Sequence, residues 1–348
     1  MDGNITNIKK VQINQRARHG VGKIIMDLPV LFMLVIVCII MASLNNNFLS
    51  ATNMISMFTS YSYFIVGAIG LVFVFCAGNS GIDLGVGQVI ALSAVMSGQV
   101  MSGLTEAWQG SHEWFIILIG LAVSCLVGCF FGTVNGIAVS RFKIAPFIIT
   151  LASQLIAKGL CLVITDGYTV SGTPRLLTKM STLIGVKVGG RIIPAAAIIP
   201  VVLLVVMGII LSKTTFGRQL ILTGSNPQSA GHAGIPVNKI MFKVYFISGL
   251  FSGIGGIFVP MCLGASDPKV GQSLLMPMVG AVTIGGISQL GGYGNMVQAG
   301  FGILFIMSLM NGMTFLGFGL PTQQLVYGTV LIFTMTLLGY IEKKRFRI

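Results

Sequence analysis

One aspartate sits where a single acid would matter most. Asp83 lies among glycines in Gly78-Asn79-Ser80-Gly81-Ile82-Asp83-Leu84-Gly85-Val86-Gly87, between two apolar runs. A carboxylate there can cap a broken helix, hold an ion or bind a polar solute, and an acid placed inside lipid is costly without such a role. Gln88, Asn135, Gln272 and Asn311 are further polar groups within or beside apolar stretches. They are candidates either to line a wet, weakly polar path or to bridge helices. The other acids fall in tails or loops (Asp2, Glu106, Glu113, Asp166, Asp267, Glu342), with Asp27 at an edge. Paired carboxylates, clustered histidines and a nucleophile elbow are all missing, so no catalytic residue is assigned. No G-x-x-x-x-G-K-[ST] occurs, because Gly22-Lys23 is followed by Ile24 and lacks the earlier glycine. The chain therefore has no phosphate-cradling loop, and no cofactor of its own is expected. Three dispersed histidines, and six cysteines without CxxC or CxxH spacing, give no metal site; the cysteines read as free, buried thiols.

These groups are carried by a strongly apolar chain. Of 348 residues, 54% are hydrophobic and 8% charged, against roughly 25% charged in a soluble domain. So few charges cannot cover a water-facing surface, and the outer surface must meet lipid. The net charge of +13 does not indicate nucleic acid, since the basic residues lie between apolar runs without a stacking platform. About ten apolar runs follow one another: Leu28–Leu44, Met54–Ala77, Gln88–Leu104, Trp114–Val139, Ala145–Thr165, Ile192–Leu211, Ile240–Leu263, Leu274–Ile287, Met296–Leu316 and Leu320–Tyr340. Most have the roughly 17–25 residues that cross a bilayer. The expected division is an N-terminal tail (1–27), a transmembrane domain (28–341) and a C-terminal tail (342–348). Ala42-Ser43-Leu44 is a poor cleavage site because Leu44 is large, so the first run is expected to remain as a membrane helix.

With the N-terminus inside, the inner segments hold five basic residues of the N-terminal tail, Arg141, Lys143, Lys213, Arg218, Lys239, Lys243 and four at the C-terminus. The outer segments hold Arg175, Lys179, Lys187, Arg191 and Lys269. Fifteen against five of the 21 Lys and Arg residues places both termini in the cytoplasm. The four basic residues of Asp166–Arg191 run against this bias.

Gly128, Gly132 and Gly136 recur on one helix face, as do Gly249 and Gly253, a spacing that lets helix backbones approach closely. Leu274–Ile287 carries Pro277 and ends at Gly285-Gly286; it is too short for an ordinary span and is expected to be a discontinuous or re-entrant helix. The pattern D-x-x-V-G-Q occurs at Asp83–Gln88 and again at Asp267–Gln272, and Asn135-Gly136 is matched by Asn311-Gly312. Both echoes are offset by five spans. An odd offset implies two halves of opposite orientation, an arrangement found in transporters.

The inner loop at about 213–239 reads SKTTFGRQLILTGSNPQSAGHAGIPVNK over Ser212–Lys239. Ser225-Asn226 can cap a helix, Pro227 suits its first turn, and Gly234 with Pro236 ends it. Two turns of helix are marginal in water unless something packs on them. Ala230, Gly231 and Ala233 suit insertion into another protein's groove.

This loop resembles that of the ribose-type sugar permeases of bacterial ABC importers: Phe216-Gly217-Arg218, Ser225-Asn226, Ala230 and Gly234-Ile235 match the family pattern. Gly81–Gln88 nearly reproduces the family's Gly-Ile-Asp-Leu-Ser-Val-Gly-Ser. Pro146–Leu151 and Gly285-Gly286 with Leu290-Gly291-Gly292 match too. The resemblance implies an all-α permease of the bacterial inner membrane, dimeric with a second permease subunit (identical or different). It also implies two cytoplasmic ABC ATPase subunits that bind ATP and magnesium, and a periplasmic or lipid-anchored sugar-binding protein. It assigns Gly224, Ser225, Asn226, Ala230, Gly231, Ala233, Gly234 and Ile235 to a coupling helix that docks on the ATPase. Where the family usually has an acidic residue and then an Asp before the paired glycines, this chain has Leu275 and Pro277, which leaves substrate choice and subunit pairing open. The rival readings are an ion-coupled secondary transporter, disfavoured by the scarcity of intramembrane acids, and a branched-chain amino-acid permease of related architecture.

Overall fold

The computed structural model describes residues 29–78 and 81–345. Its elements are α1 (Pro29–Leu44), α2 (Ala51–Ser60), α3 (Ser62–Ala77), α4 (Val86–Ala107), α5 (Glu113–Ser140), α6 (Pro146–Thr165), α7 (Arg175–Lys179), β1 (Gly185–Val188), β2 (Arg191–Pro194), α8 (Ala195–Lys213), α9 (Thr215–Ser225), α10 (Pro227–His232), α11 (Val237–Leu263), α12 (Val270–Ile284), α13 (Met296–Phe315) and α14 (Leu320–Arg345). Among the described residues six helices (α4, α5, α6, α8, α11 and α13) are long and apolar enough to cross a membrane, and α2 with α3 adds a bent seventh. The chain is an all-α membrane protein that crosses the bilayer several times. The tail at 1–27 lies outside the described residues, as do residues 346–348.

Position in the bundle follows composition. Ser62–Ala77 is apolar all round, and every residue of α3 is buried, as expected of a helix with no polar face. Its neighbour α11 is mostly buried too, whereas α6 and α8 turn Phe147, Ile148, Leu155, Val202, Val205 and Ile209 outward. Those side chains form the lipid-facing surface that the composition requires.

The small-residue faces meet as their spacing predicts. A Cβ on Gly132 would stand 2.7 Å from the carbonyl of Tyr245, and one on Gly249 would stand 2.6 Å from Cα of Gly132. The backbones of α5 and α11 therefore touch. Ser124 Oγ donates across this seam to the carbonyl of Gly253 at 2.6 Å.

Four expectations change. The break in a span lies at Tyr61, where α2 and α3 meet at 58°, so Met54–Ala77 is a bent pair. Conversely, Pro277 does not break its helix: α12 runs continuously through it and ends at Ile284, so Leu274–Ile287 is helical only as far as Ile284. The 15 residues of α12 reach about 22 Å, short of the roughly 30 Å hydrocarbon core. Ile192 and Ile193 belong to a hairpin, paired with Lys187 and Val186, and the helix starts at Ala195. The inner loop also holds an extra helix, α9, which starts where Thr214 Oγ1 accepts from the Gly217 N–H at 3.2 Å.

Contacts collect the connecting segments at two ends. At one end Lys143 Nζ donates to Asn238 Oδ1, and the Gly292 N–H donates to the Cys76 carbonyl at 3.2 Å. At the other, Val170 and Ser266 form a β-bridge and the Leu176 N–H donates to Glu113 Oε2 at 3.1 Å. This is the same grouping that alternating spans give.

Candidate functional site

The chain leaves α3 at Gly78 and turns back into the bundle before α4 begins. Asp83, on that return, is 4% exposed. Its Oδ1 accepts from the Gly85 N–H at 3.0 Å, and its Oδ2 accepts from Ser248 Oγ at 2.7 Å. Ser248 lies near the midpoint of the 27-residue α11, so the Asp83 turn sits deep in the bundle. Both carboxylate oxygens are thereby satisfied, as a buried acid requires. Tyr245 and Ser153 frame the turn. The buried Tyr245 hydroxyl lacks a hydrogen-bond partner among the described residues, and it stands 3.7 Å from where a Gly81 Cβ would be.

The two D-x-x-V-G-Q segments adopt the same local form. Asp267 Oδ1 accepts from the Lys269 N–H at 2.8 Å, repeating the Asp83–Gly85 turn, and Val270 starts α12 as Val86 starts α4. The segments also touch each other. A Cβ on Gly87 would stand 2.6 Å from the Gly271 carbonyl and 3.4 Å from the Leu275 nitrogen. Leu275, where the resembled family carries an acid, is therefore buried beside the start of α4.

The other polar candidates do not share one cavity. Gln88 flanks the crossing and is buried, with Oε1 unpartnered among the described residues, while Gln272 is exposed. Asn135 Oδ1 accepts from Ser153 Oγ at 2.6 Å, joining α5 to α6. Asn311 Nδ2 donates to Asn53 Oδ1 at 3.1 Å, joining α13 to α2. Ser248, Ser153 and Asn53 were not singled out in the sequence. Their only signal is a polar side chain within an apolar helix.

The inner loop folds as its capping residues dictate. Asn226 Oδ1 accepts from the Ser229 N–H at 2.9 Å, and Pro227 opens α10. Gly234, at φ +81°, closes it with the Ile235 N–H bonded to the Ala230 carbonyl at 3.0 Å, a left-handed helix stop. Asn226, Gly231, Ala233 and Gly234 are exposed, as is Ser225, and Ile235 is half-buried. Gly231 has open space around it, so a Cβ would meet nothing within 4 Å. Ala230 and Gly224 face inward and are buried. A concavity of about 590 Å³ borders α10, lined by Pro227, Gln228, Gly231, His232, Ile235 and Pro236 among others.

An apolar bundle with a buried acidic turn at its centre and a capped, exposed helix at one end has the build of a membrane transport protein. The chain belongs to the family described as branched-chain amino acid transport system / permease component, whose profile matches residues 53–335. It is 32% identical over 334 residues to the ribose import permease protein RbsC of Bacillus subtilis, covering 94% of this chain and 97% of that protein. It is also 29% identical to the L-arabinose transport system permease protein AraH of Escherichia coli, over 80% of each chain. With the fructose import permease protein FruF of Bifidobacterium longum it shares 32% identity over 80% of this chain and 75% of that one. No solved structure matches the chain.

Proposed function

We propose that this chain is the membrane-spanning permease subunit of an ATP-driven importer, forming the path for a monosaccharide or a related small polar solute. The observation that carries this is α10: six residues, capped at both ends, exposed on the outside of an apolar bundle. So short a helix gains little by itself in water, and its exposed Gln228, Gly231 and His232 suit a groove on another protein. Family membership and relatives named for ribose, L-arabinose and fructose import support the sugar. The family description also covers amino-acid permeases, which the sugar-permease relatives make the weaker reading.

In this account the ATPase is a separate cytoplasmic subunit pair that holds ATP and magnesium, and α10 takes up its motion. A second permease subunit, identical or different, completes the path, and a periplasmic or lipid-anchored binding protein delivers solute. Ten spans are counted when α1, α12 and α14 join the seven of sufficient length, with both termini in the cytoplasm of a bacterial inner membrane. The matching turns at Asp83 and Asp267, and their contact through Gly87 and Gly271, support two inverted halves whose axis passes through that contact. Gln88 and Gln272 flank it and are the residues we place on the path. Asp83 already gives both carboxylate oxygens to Gly85 and Ser248, and Asn135 and Asn311 each give one amide atom to a neighbouring helix.

Gly231→Trp tests the docking role, because a side chain leaving Gly231 starts into open space in the isolated chain, its Cβ meeting nothing within 4 Å. The variant is expected to insert and fold normally, to lose the ATPase subunits on purification, and to import nothing. Normal binding of the ATPase together with normal uptake would remove α10 from the interface.

A further inference from the structure

Three stretches far apart in sequence meet backbone to backbone at the base of the docking loop. They are Gly78, which follows α3; Gly224, at the end of α9; and Gly291-Gly292, in the turn between α12 and α13. A Cβ on Gly78 would stand 2.7 Å from the carbonyl oxygens of both Gly224 and Leu290. One on Gly224 would stand 2.5 Å from the Gly292 nitrogen and overlap the Cys76 carbonyl; one on Gly291 would overlap Gly78 and stand 2.8 Å from the Gly224 oxygen. Ordinary contact begins at 3.4 Å, so no position has room for a side chain. Gly78, Gly291 and Gly292 also hold φ of +65°, +90° and +75°, a region that side chains disfavour.

Hydrogen bonds hold the same point. The Gly292 N–H donates to the Cys76 carbonyl at 3.2 Å, and Ser225 Oγ lies 3.4 Å from the Gly292 carbonyl. Near its other end, α9 is fixed to the same helix by Phe216 stacked on Phe73, with ring centroids 6.2 Å apart. The docking helix begins three residues after Gly224, and the Asp83 turn lies five residues after Gly78. A contact made of side chains can absorb a displacement by changing rotamers. This contact is backbone, and backbone packed this tightly moves together.

We propose that these glycines form a rigid joint carrying displacement of α10 into α3 and the Asp83 turn. Gly78, Gly224 and Gly291 are thereby positioning residues for coupling ATP hydrolysis to solute movement. The inference rests on α10 being the docking helix. A contiguous set of contacts is a physical route, and only a coupling measurement establishes its use.

Two variants test it in proteoliposomes containing the permease with its ATPase subunits and binding protein. Gly291→Ala forces the joint apart, and is expected to keep ATP hydrolysis within about twofold of the parent while uptake falls at least tenfold, raising the ATP spent per solute. A merely structural role would lower both together. The second variant staples the joint without opening it. Cys76 Sγ abuts the position of a Gly294 Cβ, so Gly294→Cys is expected to oxidise to a disulfide with Cys76 and to retain uptake within about twofold of its reduced form. The parent, oxidised alike, controls for the other cysteines.

Equal uptake by Gly291→Ala and the parent overturns the proposal. So does a stapled protein that stops transporting until reductant is added, because the segments would then have to separate during the cycle. Failure of the pair to oxidise overturns it as well. If Gly291→Ala does not fold, the staple decides. Loss of the ATPase subunits from the parent itself would instead defeat the docking reading, and the joint's role with it.

Discussion

Adding one methyl group at Gly249 should push α5 and α11 apart. The new Cβ would overlap the Gly128 carbonyl oxygen and stand 2.6 Å from Gly132 Cα, where ordinary contact begins at 3.4 Å. A shift of roughly 0.8 Å or more must come from separating the helices, since the obstructing atoms are backbone and have no rotamer to change. Overpacking of this kind costs about 1–3 kcal/mol. Stretching the bond from Ser124 Oγ to the Gly253 carbonyl, 2.6 Å in the parent, adds up to ~1 kcal/mol. Replacing a helix-interior glycine by alanine returns about 0.5–1 kcal/mol. Gly249→Ala should therefore lose up to ~3.5 kcal/mol net. Gly159→Ala on α6 is the control, because a Cβ there meets nothing within 4 Å. It should gain ~0.5–1 kcal/mol; that gain is common to both variants and cancels between them, so the two alanines should differ by about 1–4 kcal/mol. Reversible unfolding in mixed detergent micelles, followed by circular dichroism, measures this. Equal midpoints for the two variants would refute the claim that the Gly128–Gly132–Gly249–Gly253 seam is closed by direct backbone contact.

Other outcomes follow from the same contacts. Ser248→Ala strips Asp83 Oδ2 of its donor at 2.7 Å and should destabilise the protein by about 1–3 kcal/mol in the same assay; an unchanged midpoint would mean that Oδ2 finds another partner. Asp83→Asn keeps an acceptor for the Gly85 N–H and a hydrogen-bonding group for Ser248, so the protein should fold while its uptake kinetics change. Unaltered kinetics would reduce Asp83 to a cap. Ala230→Trp should lower thermal stability because Ala230 is buried, whereas Gly231→Trp, on the exposed side, should not. Indistinguishable melting of these two variants would mean that α10 is not seated as described.

Much of this arrangement was legible because lipid simplifies the physics. Apolar runs of spanning length have to be helices, and glycines four apart have to be helix contacts or waste. Hence α5 and α11, and their seam, could be anticipated. Helix α10 was readable from Asn226, Pro227 and Gly234, because caps are local hydrogen-bond chemistry. The bend at Tyr61 was not, since Ser60-Tyr61-Ser62 carries neither proline nor glycine and the apolar run passes through it. Pro277 misled in the opposite direction, being accommodated within α12. The hairpin turning at Gly189-Gly190 was missed, because Ile192 and Ile193 read as the start of a span. Which polar side chains pair was beyond the sequence. Asp83 with Ser248, and Asn311 with Asn53, are partners separated by 165 and 258 residues, and only tertiary packing selects them. The contact of Gly78, Gly224 and Gly291 was hidden for the same reason.

The account stands on a separate motor driving this chain through its docking helix. The direct measurement is solute uptake into proteoliposomes containing the permease, its binding protein, and either the ATPase subunits with ATP or an imposed sodium or proton gradient. Uptake is expected only with the ATPase subunits and ATP, and is expected to vanish when a non-hydrolysable nucleotide replaces ATP. Rapid accumulation driven by the ion gradient in liposomes that contain no ATPase would contradict it.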